Sequence, residues 1–281
     1  MGLLIIGGSG FLGGELVRRA TAAGHAVAAS FGTRPGTLQG VEWLPLDVRR
    51  PDEVASVIGR LRPTVVINTA ARTSDWATTA EGAVRVAVAA DRQGARLVHV
   101  SSDAVFSGAR VHYDESAAPD PITPYGAAKA AAEAAIRVLV PAAVIARTSL
   151  IIGDGGSAHE AFVHELSAGR RAGTLFTDDV RCPVHVADLA SALLELAFSD
   201  HAGVRHVAGT DAVSRYELGL LIARRDGLDP ATLPAGRRAG TGIPGALDVR
   251  LDSDRTRRGL RTRVRGAREF LATPGSGAGL R

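Results

Sequence analysis

Tyr125 and Lys129 stand four residues apart in Tyr125-Gly126-Ala127-Ala128-Lys129, and Lys129 is the only lysine beside 32 arginines. A composition this poor in lysine places arginine wherever a positive charge alone suffices. The retained ammonium therefore points to work that a wide planar guanidinium does not do. Thr123-Pro124 reads as an N-cap followed by proline at the first helical position. Tyr125 and Lys129 then lie one turn apart on a shared helix face. A phenol with a pKa of about 10 exchanges protons poorly near neutrality, and moving it towards 7 takes roughly 4 kcal/mol in favour of the phenolate. A neighbouring ammonium can supply that as an opposite charge, so Lys129 is expected to lower the pKa of Tyr125. The plain alternative is an exposed lysine on a helix. Upstream, Val98-His99-Val100-Ser101-Ser102-Asp103 ends an apolar run in two hydroxyls, at the sheet edge where open α/β folds bind ligands.

A second constellation lies at the N-terminus. Gly7-Gly8-Ser9-Gly10-Phe11-Leu12-Gly13 follows the run Leu3-Leu4-Ile5-Ile6 and opens an amphipathic stretch. Glycines at 7, 10 and 13 form a turn whose bare backbone can approach a pyrophosphate at a helix N-terminus. Its position between a strand and a helix favours dinucleotide binding over a plain tight turn. The second strand ends Ala28-Ala29-Ser30 and leads into Phe31-Gly32-Thr33-Arg34, without the carboxylate that holds an NAD ribose. Ser30, Thr33 and Arg34 would receive a 2′-phosphate instead, which favours NADPH with NADH possible. Asp47 has two readings, an acceptor for the adenine amino group or an acid ahead of the helix at Pro51.

These residues need a scaffold. Candidate strands are Leu3–Gly7, His25–Ser30, Val41–Pro45, Thr64–Thr69, Arg96–Ser101 and Ala142–Arg147, with helices at about 11–22, 51–61, 78–93 and 124–139. Continuous runs such as Val65-Val66-Ile67 suit strands buried on both faces of a parallel sheet. The fold class expected is α/β, a doubly wound Rossmann sheet over residues 1–150. Beyond it a smaller substrate lobe spans 151–272, glycines crowd 153–173, and helices are expected at 187–198 and 214–225 around a strand at Val204–Ala208. The stretch 182–210 is expected to rejoin the first domain, and the Gly/Ser-rich tail 273–281 to be disordered.

Composition narrows the function. At 281 residues the chain can bury a large core, and its net charge of +4 is small. The densest basic stretch, Arg250 to Arg268, alternates with Asp248, Asp252, Asp254 and Glu269, which argues against nucleic acid as a partner. No apolar run approaches the roughly 18 residues of a membrane span, no signal peptide is visible, and one cysteine, Cys182, fits a reducing cytoplasm. His159-Glu160-Ala161-Phe162-Val163-His164 spaces its histidines about 140° apart on a helix, so a zinc site is not expected.

The glycine turn, the strand-end serines and the YxxxK pair, in this order, resemble the extended short-chain dehydrogenase/reductase superfamily. More closely, the chain resembles the dTDP-4-dehydrorhamnose reductase family. Further matching stretches are Val65–Ala71, Ser101–Gly108, Glu133, Arg147-Thr148-Ser149, Arg181–Ala190 and Arg250-Leu251-Asp252. The resemblance implies that Ser102 hydrogen-bonds the substrate carbonyl, Tyr125 donates the proton, and Lys129 tunes the tyrosine and holds the nicotinamide ribose. It implies a cofactor lined by Gly7, Ser9, Gly10, Phe11, Leu12, Gly13, Val48, Asn68, Ala70, Ala71, Ser101 and Arg147 as well as by the second-strand residues and Asp47. Asp103, Val105, Arg181 and Arg250 would face the substrate, with Arg237 and Arg238 as further candidates for its diphosphate.

The chain departs from the family at Ala104, Ser107 and Cys182-Pro183, and Asp103-Ala104 lacks the Asp-Glu pair of related dehydratases. The expectation is therefore an NADPH-dependent reductase of a 4-keto sugar linked to a nucleoside diphosphate, acting in the cytoplasm, with homodimerisation implied by the resemblance alone. A catalytically silent cofactor-binding subunit and an NAD-retaining epimerase of the same fold remain as alternatives.

Overall fold

Each continuous apolar run of the N-terminal half becomes a strand of one sheet. In the computed structural model, which describes residues 2–272, these are β1 (Gly2–Ile6), β2 (Ala26–Phe31), β3 (Glu42–Pro45), β4 (Val65–Asn68), β5 (Arg96–Ser102) and β6 (Val144–Thr148). A later strand, β7 (Gly203–Val207), returns to complete a seven-stranded sheet in the order β7-β6-β5-β4-β1-β2-β3. All neighbours run parallel. The tail at 273–281, expected to be disordered, lies outside the described residues.

Parallel strands require crossovers, and helices supply them on both faces. On one face α1 (Phe11–Ala22) and α6 (Val186–Ala197) pack on Leu3, Ile5, Val65, Ile67 and Val98. On the other, α2 (Pro51–Leu61), α3 (Gly82–Arg92) and α4 (Pro124–Leu139) cover Leu4, Ile6, Val66 and Leu97. Successive strand residues thus feed two separate cores, as the period of two demands. The helix expected at 78–93 begins with a π turn at Ala77–Glu81 before α3.

The strand order reverses between β1 and β4, since the chain first winds to β2 and β3 and then crosses to the other side of β1. Loops leaving the C-terminal ends of β1 and β4 therefore diverge and leave a crevice. The glycine turn follows β1, and Thr69-Ala70-Ala71-Arg72 follows β4.

The second lobe has its own small core, where α5 (Ala158–Ser167) and α7 (Arg215–Arg225) pack around Leu175, Val213, Ala267 and Leu271. The helix α5 falls in the glycine-rich stretch, for which no helix bounds were expected. Its start is nonetheless written in Ser157-Ala158-His159-Glu160. The Ser157 hydroxyl accepts the Glu160 N–H at 3.2 Å, and the Glu160 carboxylate accepts the Ser157 N–H at 2.8 Å, a reciprocal capping box.

Candidate active site

The turn after β1 is tight because nothing separates its two ends. Gly7 has φ +79°, and a Cβ on Gly13 would lie 2.1 Å from the Gly7 carbonyl oxygen. Helix α1 starts from Gly10 with no side-chain cap and no acid in its first turn. Its exposed N–H groups and positive dipole end are therefore open to an anion. A groove of about 720 Å3 runs across this turn. Gly7, Ser9 and Gly10 form its floor, Thr33 and Arg34 one wall, and Ala70 and Ala71 the other, with Asp47 and Val48 at its far side. A side chain at Gly7 or Gly13 would obstruct the turn, and the groove carries cationic groups at its rim. The residues present fit a dinucleotide.

Several expected contacts take a different form. Ser30 is buried and its hydroxyl accepts the Gly7 N–H at 3.0 Å, so it braces the turn from beneath. Arg34 is exposed on the groove wall and makes no ion pair among the described residues. Asp47 grips Arg49 through both oxygens at 2.6–3.0 Å, which holds its carboxyl down at about 2. It lines the groove and is not in the first turn of α2, whose acids are Asp52 and Glu53. Asn68 is buried and accepts the Ala70 N–H at 3.1 Å, fixing the turn rather than facing the groove. Leu12 belongs to the core, and Phe11 packs towards Gly153 and Gly156 of the second lobe.

The hydroxyl-bearing end of β5 lies one strand beyond the groove. Helix α4 is capped by Thr123, which accepts the Gly126 N–H at 3.1 Å, with Pro124 at its first position. Gly126 lets α4 approach the turn after β5, and this brings the Tyr125 phenol close enough to Ser102 for the serine hydroxyl to favour its ionised form. Ser102 also accepts the Ala104 N–H at 3.2 Å and lies 3.3 Å from a carboxylate oxygen of Asp103. Asp103 is buried and accepts the Ser149 hydroxyl at 2.6 Å.

The electrostatics correct one expectation. Burial pushes the Tyr125 phenol up to about 12, the Asp103 carboxylate adds to the rise, and the Ser102 hydrogen bond opposes it. The Lys129 ammonium is buried and donates to the Val100 carbonyl at 2.8 Å. Desolvation lowers Lys129 to about 8, against a raising effect from Glu133. Its field falls on His99, whose imidazole burial holds far below the usual range and Lys129 lowers further. In this state the pair is a neutral phenol and a buried ammonium, not an acidified phenol.

Three more expected contacts lie behind the site. Arg147 is fully buried, with its fork on both oxygens of Glu133 at 2.7–3.1 Å and its remaining nitrogen on the Ala117 carbonyl at 3.1 Å. Ser101 donates to the same carboxylate. These two are therefore bracing groups for α4 and β6 rather than groups open to a cofactor. Val105 is buried in a small core with Phe106 and Tyr113 and has no surface left for a substrate.

The second lobe contributes a cluster of guanidinium groups. Arg181 lies 3.7 Å from Asp103 and 2.9 Å from the buried Asp179, and donates to the Ala246 carbonyl at 2.7 Å. Asp179 also meets Arg238 at 2.6 Å and Arg215 at 3.5 Å. Arg215 borders a cavity of about 260 Å3 lined by His159, Phe162, Phe176 and Leu218. His159 sits 3.3 Å from Arg215, and burial pulls its imidazole down to about 4. His164 instead contacts Asp226 at 2.7 Å. Arg237 points outward, whereas Arg250 pairs with Asp248 in a separate cleft beside Tyr113 and Cys182. Burial raises the Cys182 thiol to about 11. Sequence reasoning set His159 aside as a metal ligand and did not single out Asp179 or Arg215, which no local motif marks.

Comparison with known proteins extends this description. The RmlD substrate binding domain family matches residues 1–241. The spore coat polysaccharide biosynthesis protein SpsK of Bacillus subtilis is 31% identical over 242 residues, covering 82% of this chain and 81% of that protein. A dTDP-4-dehydrorhamnose reductase of Mycobacterium tuberculosis is 32% identical over 248 residues, covering 81% and 76%. Among solved structures, dTDP-4-dehydrorhamnose reductase from Bacillus anthracis in complex with NADP aligns with a TM-score of 0.83 at 26% identity, over 96% of each chain.

Proposed function

This chain belongs to the RmlD substrate binding domain family, and from that premise we propose that it is an NADPH-dependent oxidoreductase reducing the keto group of a nucleoside-diphosphate-linked 4-keto deoxy sugar. The observation that carries the reading is the placing of Ser102 beside Tyr125 at the end of β5, one strand from the glycine-turn groove, with Lys129 one turn further along α4. Relatives named for reduction of dTDP-4-keto sugars, and a similar structure named as an NADP complex, support both substrate class and cofactor.

The groove would hold the dinucleotide with its pyrophosphate over Gly7–Gly10 and the α1 N-terminus, and with a 2′-phosphate near Thr33 and Arg34. When bound, NADPH supplies the hydride. Ser102 orients the ketone oxygen by a hydrogen bond, and Tyr125 gives that oxygen its proton as negative charge develops. Burial keeps the phenol protonated at neutral pH, so it would release its proton only as charge develops on the ketone oxygen. To hold the ribose hydroxyls and pass a proton towards Tyr125, the Lys129 ammonium would have to leave the Val100 carbonyl. Asp103 and Ser149 shape the floor below the sugar. Arg215, at the edge of the neighbouring apolar cavity, would be the guanidinium offered to the substrate diphosphate, with the cavity taking the base, while Arg181 and Arg238 hold Asp179 and backbone carbonyls behind it.

The test is NADPH oxidation by purified protein against dTDP-, UDP- and GDP-linked 4-keto-6-deoxy sugars. Turnover with a member of this panel supports the reading. Tight NADPH binding with no turnover on any of them favours the silent cofactor-binding subunit instead.

A further inference from the structure

The loop after β4 presents an arginine that neither the fold nor the reaction accounts for. Arg72 is exposed and lines the groove directly after Ala70 and Ala71. Its backbone is fixed from both sides by one buried hydroxyl. The Arg72 N–H donates to the Thr79 oxygen at 2.9 Å, and the Thr79 hydroxyl donates to the Arg72 carbonyl at 2.7 Å. The Asp75 N–H adds a third bond to the same carbonyl at 3.1 Å. The guanidinium, by contrast, has no hydrogen bond or ion pair among the described residues. A pinned backbone carrying a free side chain is a mount without its load.

The sheet order tells what the load is. With β1 between β4 and β2, the glycine turn lies between two walls, one bearing Arg34 and the other Arg72. The third arginine at the rim, Arg49, is already neutralised by Asp47 and lies 3.8 Å from Asp75. The β4 wall stands hard against the turn, since a Cβ on Gly7 would meet the Ala70 nitrogen at 3.0 Å. Arg72 is therefore two residues from the point where the walls touch the pyrophosphate cradle, whereas Arg34 stands on the far side, after β2. The α1 N-terminus offers N–H donors from below but no side-chain charge.

We propose that Arg72 is a pyrophosphate clamp, closing its planar fork on the dinucleotide's two bridging phosphates from the β4 wall while the α1 N-terminus holds them from beneath. A guanidinium matches two phosphate oxygens at once, and its place ahead of Thr79 keeps it from having to search for them. The inference rests on the reading of this groove as a dinucleotide site and adds to it the residue that grips the part common to NADPH and NADH.

The experiment is a set of fluorescence and calorimetric titrations of the whole protein with NADPH, NADH and adenosine 2′-monophosphate, using wild type, Arg72→Gln, Arg72→Lys and Arg34→Gln. Arg72→Gln should weaken NADPH and NADH alike, about 10- to 100-fold, and leave the monophosphate, which has no pyrophosphate, unchanged. Arg72→Lys should fall between. Arg34→Gln should weaken NADPH and the monophosphate but spare NADH. Unchanged NADPH and NADH affinity in Arg72→Gln overturns the clamp. So does a loss confined to 2′-phosphorylated ligands, or a raised KM for nucleotide sugar at unchanged cofactor affinity. If wild type binds neither dinucleotide, the dinucleotide reading of the groove falls as well, so the two failures are distinguishable.

Discussion

A Cβ on Gly126 would lie 2.0 Å from the carbonyl oxygen of Ala104. The helix bearing Tyr125 thus rests directly on the backbone of the turn bearing Ser102 and Asp103, with no room for a side chain. The second position of the Tyr-x-x-x-Lys spacing is a spacer of zero thickness. Replacing Gly126 with alanine should lift α4 by part of an ångström, separate Tyr125 from Ser102, and destabilise the fold by about 1–3 kcal/mol. Turnover should fall more than stability predicts, because a small misplacement of the reacting groups is costly. Urea unfolding combined with kcat at a temperature where the variant remains folded would check this.

The Glu133–Arg147 pair is a strut with both side chains 1% exposed. Removing one partner leaves an uncompensated charge in a dry interior, so Glu133→Gln should destabilise by about 3–5 kcal/mol, read from urea midpoints at constant m value. A loss below about 1 kcal/mol would mean that other groups neutralise Arg147. Because Glu133 raises the pKa of Lys129, the same variant should move the ammonium's titration lower still.

Lys129 links stability and activity in opposite directions. Its pKa falls from 10.5 to about 8 on folding, so between about 8 and 10.5 the unfolded chain holds a proton that the native chain has released. Its contribution therefore becomes more favourable as pH rises through that window, and the full cost of the buried ammonium is felt below 8. That cost is on the order of 3 kcal/mol. Lys129→Met should accordingly be no less stable than wild type at pH 7 by urea unfolding, while losing most turnover. Wild-type kcat should decline above about pH 8 as the ammonium deprotonates. A flat profile from 7 to 10 would remove its charge from the mechanism.

Cofactor preference should reside on the β2 wall. Arg34→Gln is expected to raise the Kd for NADPH about 10-fold and leave NADH within a factor of two, measured by nucleotide fluorescence. Equal weakening of both would move the 2′-phosphate away from Arg34.

Local pattern carried much of this. The β-branched runs wrote the parallel strands, and Thr123-Pro124 wrote the start of α4, because strand burial and helix capping are decided within a few residues. The capping box at Ser157–Glu160 was equally local and was obscured by surrounding glycines. What did not show was the direction of side chains once packed. Lys129 shares a helix face with Tyr125, yet the Val100 carbonyl one layer below claims its ammonium. Arg147 and Ser101 sit in a motif but turn to Glu133 behind the sheet edge. Asp179, with arginines from α7 and from the loop at 238, assembles residues up to 59 positions apart, and nothing in any one segment announces it.

In the proposed reaction Tyr125 delivers the proton to the ketone oxygen. This step is tested most directly by the Tyr125→Phe variant, with NADPH affinity and single-turnover reduction measured side by side on the preferred 4-keto sugar nucleotide. Cofactor affinity should stay within about twofold of wild type while the rate falls about 100-fold or more. A Tyr125→Phe enzyme that reduces the sugar at the wild-type rate would contradict it.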